Sequence, residues 1–214
     1  MRKLHFATTL KILITMVLQT ACSPVKVSRD SRFSDLSEAR ILTRMKPYTE
    51  RPVWLEGALL DRQGASWLVL GYAITPERTG IESALVAAEK RARQEIRSEV
   101  EARLRTFVEI SRVTPQPQEY EKLSEHLERA LPAISHVRHE YWEQVPQKYR
   151  AFIRLEISQG DLKKVVLESS EHLKSRGQIS PELSTLIQTK LDSLVSFDTH
   201  EVAPLLQTEP AGQN

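Results

Sequence analysis

The chain has 214 residues, 40% hydrophobic and 27% charged, with 30 Lys and Arg against 28 Asp and Glu. That length and apolar fraction suit one domain with tails, and the near balance of charge gives no footprint for nucleic acid. A single cysteine, Cys22, excludes a disulfide framework and a cysteine metal site.

Arg2, Lys3 and Lys11 precede the uncharged run ILITMVL at 12–18, and Thr20-Ala21 stand directly before Cys22. A positive flank, a short apolar core and small residues form the order of an export signal. The run is too short to span a bilayer, which takes roughly 20 apolar residues. Cys22 has three readings: a buried small hydrophobe, a reactive thiol, or an attachment point made by processing. The flanks favour the third, and the stretch resembles the lipobox of bacterial lipoproteins. It departs from the usual pattern at Gln19, where Leu is common, and Leu18 stands one place earlier. The resemblance implies removal of a signal peptide at 1–21, a diacylglyceryl group on the Cys22 thiol and acylation, as by palmitate, of the new amino terminus. Two or more acyl chains, at about 0.8 kcal/mol per buried CH2, hold a protein on a membrane for long periods. Ser23 rather than Asp follows the cysteine, which by the same resemblance implies the outer membrane, facing the periplasm. Cleavage would discard three basic residues and no acid, so the mature chain would carry 27 basic against 28 acidic residues.

Residues 22–50 mix Ser, Arg, Asp and Lys without sustained periodicity and read as a lipidated tether, with a short helical piece around 34–45. The α+β domain is expected over 51–177. VWLEGALL at 53–60 and WLVLGYAIT at 67–75 suggest an antiparallel hairpin, with Asp61-Arg62-Gln63-Gly64 in a loop of about six residues. Gly71 marks a bulge or the close approach of a helix. Thr79-Gly80-Ile81-Glu82 matches a capping box. Behind it Ile81, Leu85, Ala88, Ala92, Ile96, Val100, Leu104 and Phe107 make one apolar helical stripe, lined early by Ala84 and Ala87. Glu89, Glu99 and Glu101 each stand four residues before an arginine on the solvated face.

Thr114-Pro115-Gln116-Pro117 breaks this helix, and a second is expected over 119–131, ended by Pro132. Two strands follow, at 134–145 and 149–157, joined by a turn at 146–148. In the later strand Tyr149, Ala151, Ile153, Leu155 and Ile157 alternate with Arg150, Phe152, Arg154 and Glu156. A third helix starts near Asp161 and stops near Gly177. Ser180-Pro181 opens a C-terminal helix within 178–197, and 198–214 has the composition of a disordered tail. The predicted fold is an antiparallel sheet of about four strands with a long amphipathic helix and further helices on one face.

Chemistry-bearing motifs are sparse. His136 and His139 are the nearest approach to a metal pair, but on a regular strand an offset of three sends them to opposite faces. The seven glycines form no phosphate-cradling loop, and no nucleophile elbow is present. No catalytic, cofactor or metal residue is assigned, and no small-molecule substrate is evident. The aromatics Trp54, Trp67, Tyr72, Tyr141, Trp142, Tyr149 and Phe152 fall on predicted strands, as core or as an outer-face contact surface.

The order RPVWLEG, LVLGYA, ESALVAAEKRARQEIRSEV and YRAFIRLEISQGDLKKVV resembles the small outer-membrane lipoprotein family that includes the flagellar protein FlgP and the N-terminal domain of FlgT. Pro52, Trp54, Gly71, Ala73, Ala84, Ala88, Ala92 and Tyr149 carry it. The resemblance implies a non-enzymatic module that assembles with protein partners or copies of itself in envelope structures, often around the flagellar base. The alternative is a periplasmic enzyme or small-ligand-binding protein held by the same lipid.

Overall fold

The computed structural model describes residues 40–196; the signal at 1–21, Cys22 and the tail at 198–214 lie outside the described residues. The fold is α+β, with one five-stranded antiparallel sheet and four α-helices among the described residues. In chain order these are β1 (Thr43–Arg44), a 3-10 turn (Val53–Glu56), β2 (Leu60–Gln63), β3 (Ser66–Pro76), α1 (Gly80–Ser111), α2 (Pro117–Ile134), β4 (Ser135–Val145), β5 (Lys148–Ser158), α3 (Gln159–Ser175) and α4 (Pro181–Val195). The strands lie in the order β1-β4-β5-β3-β2.

The centre of the sheet follows the alternation in the sequence. β5 pairs along its whole length with β3 on one side and β4 on the other. Ala151, Ile153, Leu155 and Ile157 point from β5 into the helical core with Trp67 and Val69 of β3. Trp67 is fully buried, and its indole N–H donates to the Val195 carbonyl at 2.9 Å, so α4 closes the core over β3. Full burial of large apolar side chains such as Ile96, Leu155 and Ile187 contributes about 1.5–3 kcal/mol each.

Helix α1 lies across β3 and β5, and small residues set its distance from the sheet. Ala84, Ala88 and Ala92 are fully buried. A Cβ added at Gly71 would stand 2.0 Å from the Ala88 carbonyl oxygen and 2.7 Å from the Ala92 nitrogen. Only hydrogen fits there, so the helix backbone rests directly on β3. Of the two roles expected for Gly71, the close approach is the one observed. The three Glu–Arg pairs expected on α1 all form, at 2.7 Å for Glu99–Arg103 and 2.6 Å for Glu101–Arg105, and with contact between Glu89 and Arg93.

Several expectations need correction. Residues 53–56 form a 3-10 turn, and β2 instead takes Asp61, Arg62 and Gln63, which the sequence places in the loop. The hairpin closes through Gly64-Ala65, with φ +61° at Gly64 as a type II′ turn requires at its first position. An apolar run without alternation misled the reading of 53–60. Thr79 does not cap α1: its hydroxyl donates to the Pro76 carbonyl at 2.7 Å. Pro132 sits inside the last turn of α2, which continues to Ile134 because the Ser135 N–H closes the end on the Leu131 carbonyl. The expected tether at 22–50 overlaps the fold, since Thr43–Arg44 make a fifth strand on β4 where a helical piece was expected. The C-terminal helix is as expected, with Ser180 accepting from the Leu183 N–H and proline at the first helical position.

Candidate functional site

Strand alternation sends Tyr72 from β3, Phe152 and Arg150 from β5, and Tyr141, Glu143 and Val145 from β4 to the face away from the helices. The sequence leaves the strand aromatics as core or as an outer-face contact surface. On this face Tyr141 and Glu143 are fully buried, Phe152 is 2% exposed and Arg150 is 5% exposed. The cover is a strap, residues 42–57, which begins at the β4 edge and ends beside β2 at the other edge. Its backbone is sewn to β4 by the Leu42 N–H on the Gln144 carbonyl at 2.8 Å and the Met45 N–H on the Trp142 carbonyl at 3.1 Å. Tyr48 then meets Tyr141 edge-on at 5.4 Å, and Tyr141 and Tyr72 each contact the Phe152 ring.

Charge converges beneath this cover. Arg51 of the strap grips Glu143 with two hydrogen bonds, Nε to Oε1 at 2.5 Å and Nη2 to Oε2 at 2.9 Å. Arg150 stands directly across from Glu143 in the β4–β5 register, its guanidinium 3.8 Å from Oε2, and the Tyr141 hydroxyl donates to Oε1 at 3.3 Å. Bidentate Arg–carboxylate geometry compensates for removing the charges from water. The hydrogen bond to Glu143 holds the Arg51 guanidinium above its ordinary range despite partial burial. Burial first, then the neighbouring Glu143 charge, pushes the Tyr141 phenol up to about 12. At neutral pH that phenol is a hydrogen-bond donor, and the cluster has the composition of a lock.

His136 and His139 fall otherwise than expected. Val137 pairs with Leu155 and His139 with Arg154, so a bulge inserts Arg138 between them. The extra residue restores the facing, and both histidines belong to the outer face, opposite Glu156 and Arg154. His139 stacks on Trp54 of the strap at 5.7 Å. Partial desolvation, then Arg138 and Arg154, lowers its pKa. Among the described residues no group of three or more His, Cys, Asp and Glu side chains is placed to hold a metal ion. Between α1 and α2 lies an open groove of about 320 Å³, lined by residues including Arg97, Glu101, Arg105 and Tyr120; the Arg105 guanidinium covers the Tyr120 ring at 4.4 Å.

Sequence reasoning missed Tyr48, Arg51, Glu143 and Arg150. Half of the signal was present: the turn at Pro146-Gln147 fixes Glu143 opposite Arg150, and Glu143 stands between Tyr141 and Val145 on one face. The partner from the strap lies 92 positions away and leaves no local trace. Comparison with family models, with curated proteins and with solved structures finds no match to this chain.

Proposed function

We propose that the chain is a non-enzymatic, lipid-anchored protein of the outer membrane, held at Cys22 and facing the periplasm, where its domain serves as a structural or assembly module. The observation that carries this reading is Cys22 directly behind a short uncharged apolar run with basic residues before it. The strap adds physical support, because it turns the end of the tether into part of the sheet. The nineteen residues 23–41 give the domain a reach of at most about 65 Å from the anchor. Confinement within that layer raises the local concentration of the domain, so that weak interfaces suffice for assembly.

Two strand edges that the described residues cover only in part are the surfaces through which such contacts would form. β1 covers only the Glu143–Gln144 end of β4, and β2 covers only the Ser66–Val69 end of β3. Beyond Leu70, whose N–H donates to the Leu59 carbonyl, alternation turns the backbone groups of Ile74 toward the same side of β3, where no described strand lies. Ile74 is 44% exposed there. A partner strand could extend the sheet at this edge. A narrower reading places the chain with the flagellum-associated lipoproteins that its motifs resemble. Gly71, Ala84, Ala88 and Ala92 are accounted for by close helix–sheet approach, which leaves Pro52, Trp54, Ala73 and Tyr149 to carry that likeness.

Metabolic labelling with an alkyne fatty acid, comparing wild type with Cys22→Ala and separating the two membranes, tests the anchor. The expected result is label on the wild type alone, enriched with the outer membrane. Absence of label on the wild type would remove the basis of the proposal.

A further inference from the structure

Every arginine on α1 is matched by a glutamate: Arg91 with Glu95, Arg93 with Glu89, Arg97 with Glu128, Arg103 with Glu99 and Arg105 with Glu101. A different arrangement occurs where α2 packs on α3. His126 of α2 and His172 of α3 bring their rings to 5.0 Å. The His126 Nδ1 is fixed by the buried Ser169 hydroxyl at 3.0 Å, which leaves Nε2 directed away from that bond. Arg129 stands one turn after His126, and Arg176 follows His172 by four residues, so each guanidinium shares a helix face with its histidine. Arg129 and Arg176 are exposed, and neither has a carboxylate partner among the described residues; the Arg129 Nε donates only to the Glu125 carbonyl oxygen. Of the carboxylates close by on the two helices, Glu125 is engaged by Lys122 at 3.1 Å and Glu168 by Lys164 at 3.9 Å, while Glu171 precedes His172 in the chain and lies about 100° around α3 from it.

We infer that His126, Arg129, His172 and Arg176 form a binding site for a phosphate or phosphate monoester. Two guanidiniums supply bidentate, charge-assisted donors, and two imidazoles add N–H donors that become cationic when a dianion sits between them. Without an anion the preference is the opposite. Burial first, then His172, Arg129 and Arg176, lowers the pKa of His126, since each added proton meets positive charge. An anion reverses the sign of that interaction, so binding and protonation of the histidines reinforce each other. His172 and Arg176 also sit at the C-terminal end of α3, where cations complement the helix dipole. That role does not account for His126 and Arg129, which project from within α2. The site does not depend on the lipid anchor. The same phosphomonoester chemistry is offered by a soluble ligand and by an exposed lipid headgroup.

The test uses the full chain carrying Cys22→Ala and follows the histidine C2–H resonances by NMR, assigned with His126→Asn and His172→Asn. Inorganic phosphate should shift both resonances saturably and raise the midpoint of the His126 pH titration, relative to chloride at equal ionic strength. Arg129→Gln and Arg176→Gln, which alter exposed side chains, should each weaken the effect about tenfold or more while leaving circular dichroism unchanged. Vesicles of phosphatidic acid in phosphatidylcholine form the second arm, with pure phosphatidylcholine as control. Response to free phosphate without vesicle binding assigns a soluble ligand, and arginine-dependent binding to the phosphatidic acid vesicles assigns a headgroup. Histidine titrations unmoved by phosphate, together with vesicle binding equal in the arginine variants, would overturn the site.

Discussion

The two faces of the sheet are closed by different means. On the helical face the contact is apolar and tight, and α1 approaches until its backbone leaves no space for a side chain at Gly71. On the outer face the cover is a strap of irregular chain, held by Tyr48 on Tyr141 and by the clasp of Arg51 on the buried Glu143. The first face is specified by periodicity and residue size. The second is specified by hydrogen bonds between distant residues. Stability should therefore respond to volume on one side and to charge on the other.

Gly71→Ala breaks the comparison most severely, because backbone atoms of α1 occupy the space that the methyl group needs. It should cost about 4 kcal/mol or more, or prevent folding, as read by urea denaturation. Glu143→Ala adds no volume but removes the buried carboxylate that Arg51 and Arg150 share, and a loss of about 3 kcal/mol is expected in the same measurement. Arg51→Ala sharpens the contrast further. It should cost about 2 kcal/mol and free the strap from the sheet, so that protease cuts within 42–57 while the remainder of the domain resists. Ser180→Ala removes only the N-cap of α4 and should cost about 1 kcal/mol without touching either face.

Protons discriminate between regions as well. The Glu119 carboxylate is burdened by burial, yet hydrogen bonds from the Ser180 and Gln116 N–H groups hold its pKa below the ordinary value. This stabilisation is present above the unfolded-state carboxyl pKa and is lost as pH falls through the lower folded value. A lowered histidine pKa acts with the same sign, so His126 and His139 also weaken the fold on acidification. In the alkaline direction Tyr141 should resist ionisation until about pH 12, as followed by ultraviolet absorbance, and burial also raises the Tyr120 phenol.

Much of the helical face was legible in the sequence because its rules are local. Alternation over 149–157 gives β5, the Pro146-Gln147 turn fixes its register with β4, and the spacing Ala88, Ala92, Ile96, Val100, Leu104 gives the buried stripe of α1. Gly71 even indicated the close approach. The boundaries failed where one local rule competed with another. Thr79 and Glu82 have capping-box spacing, but a 3-10 turn at Glu77–Thr79 directs the Thr79 hydroxyl back to Pro76. The period of a regular strand sends His136 and His139 to opposite faces, and one bulged residue between them brings them to the same face. The strap was illegible for a deeper reason. Residues 42–57 have no periodic apolar pattern, and what orders them is a set of partners roughly a hundred positions away. The cationic cluster across α2 and α3 is similar, since only the packing of the two helices brings His126 to His172.

Hydrogen exchange at single amides tests the central claim, that residues 42–57 are bound to the sheet and cover its outer face. The Leu42 and Met45 amides, bonded to the Gln144 and Trp142 carbonyls, should be protected in the wild type and lose that protection in Arg51→Ala, while the β5 amides stay protected in both. Exchange of Leu42 and Met45 in the wild type at the rate of an unstructured chain would contradict the account.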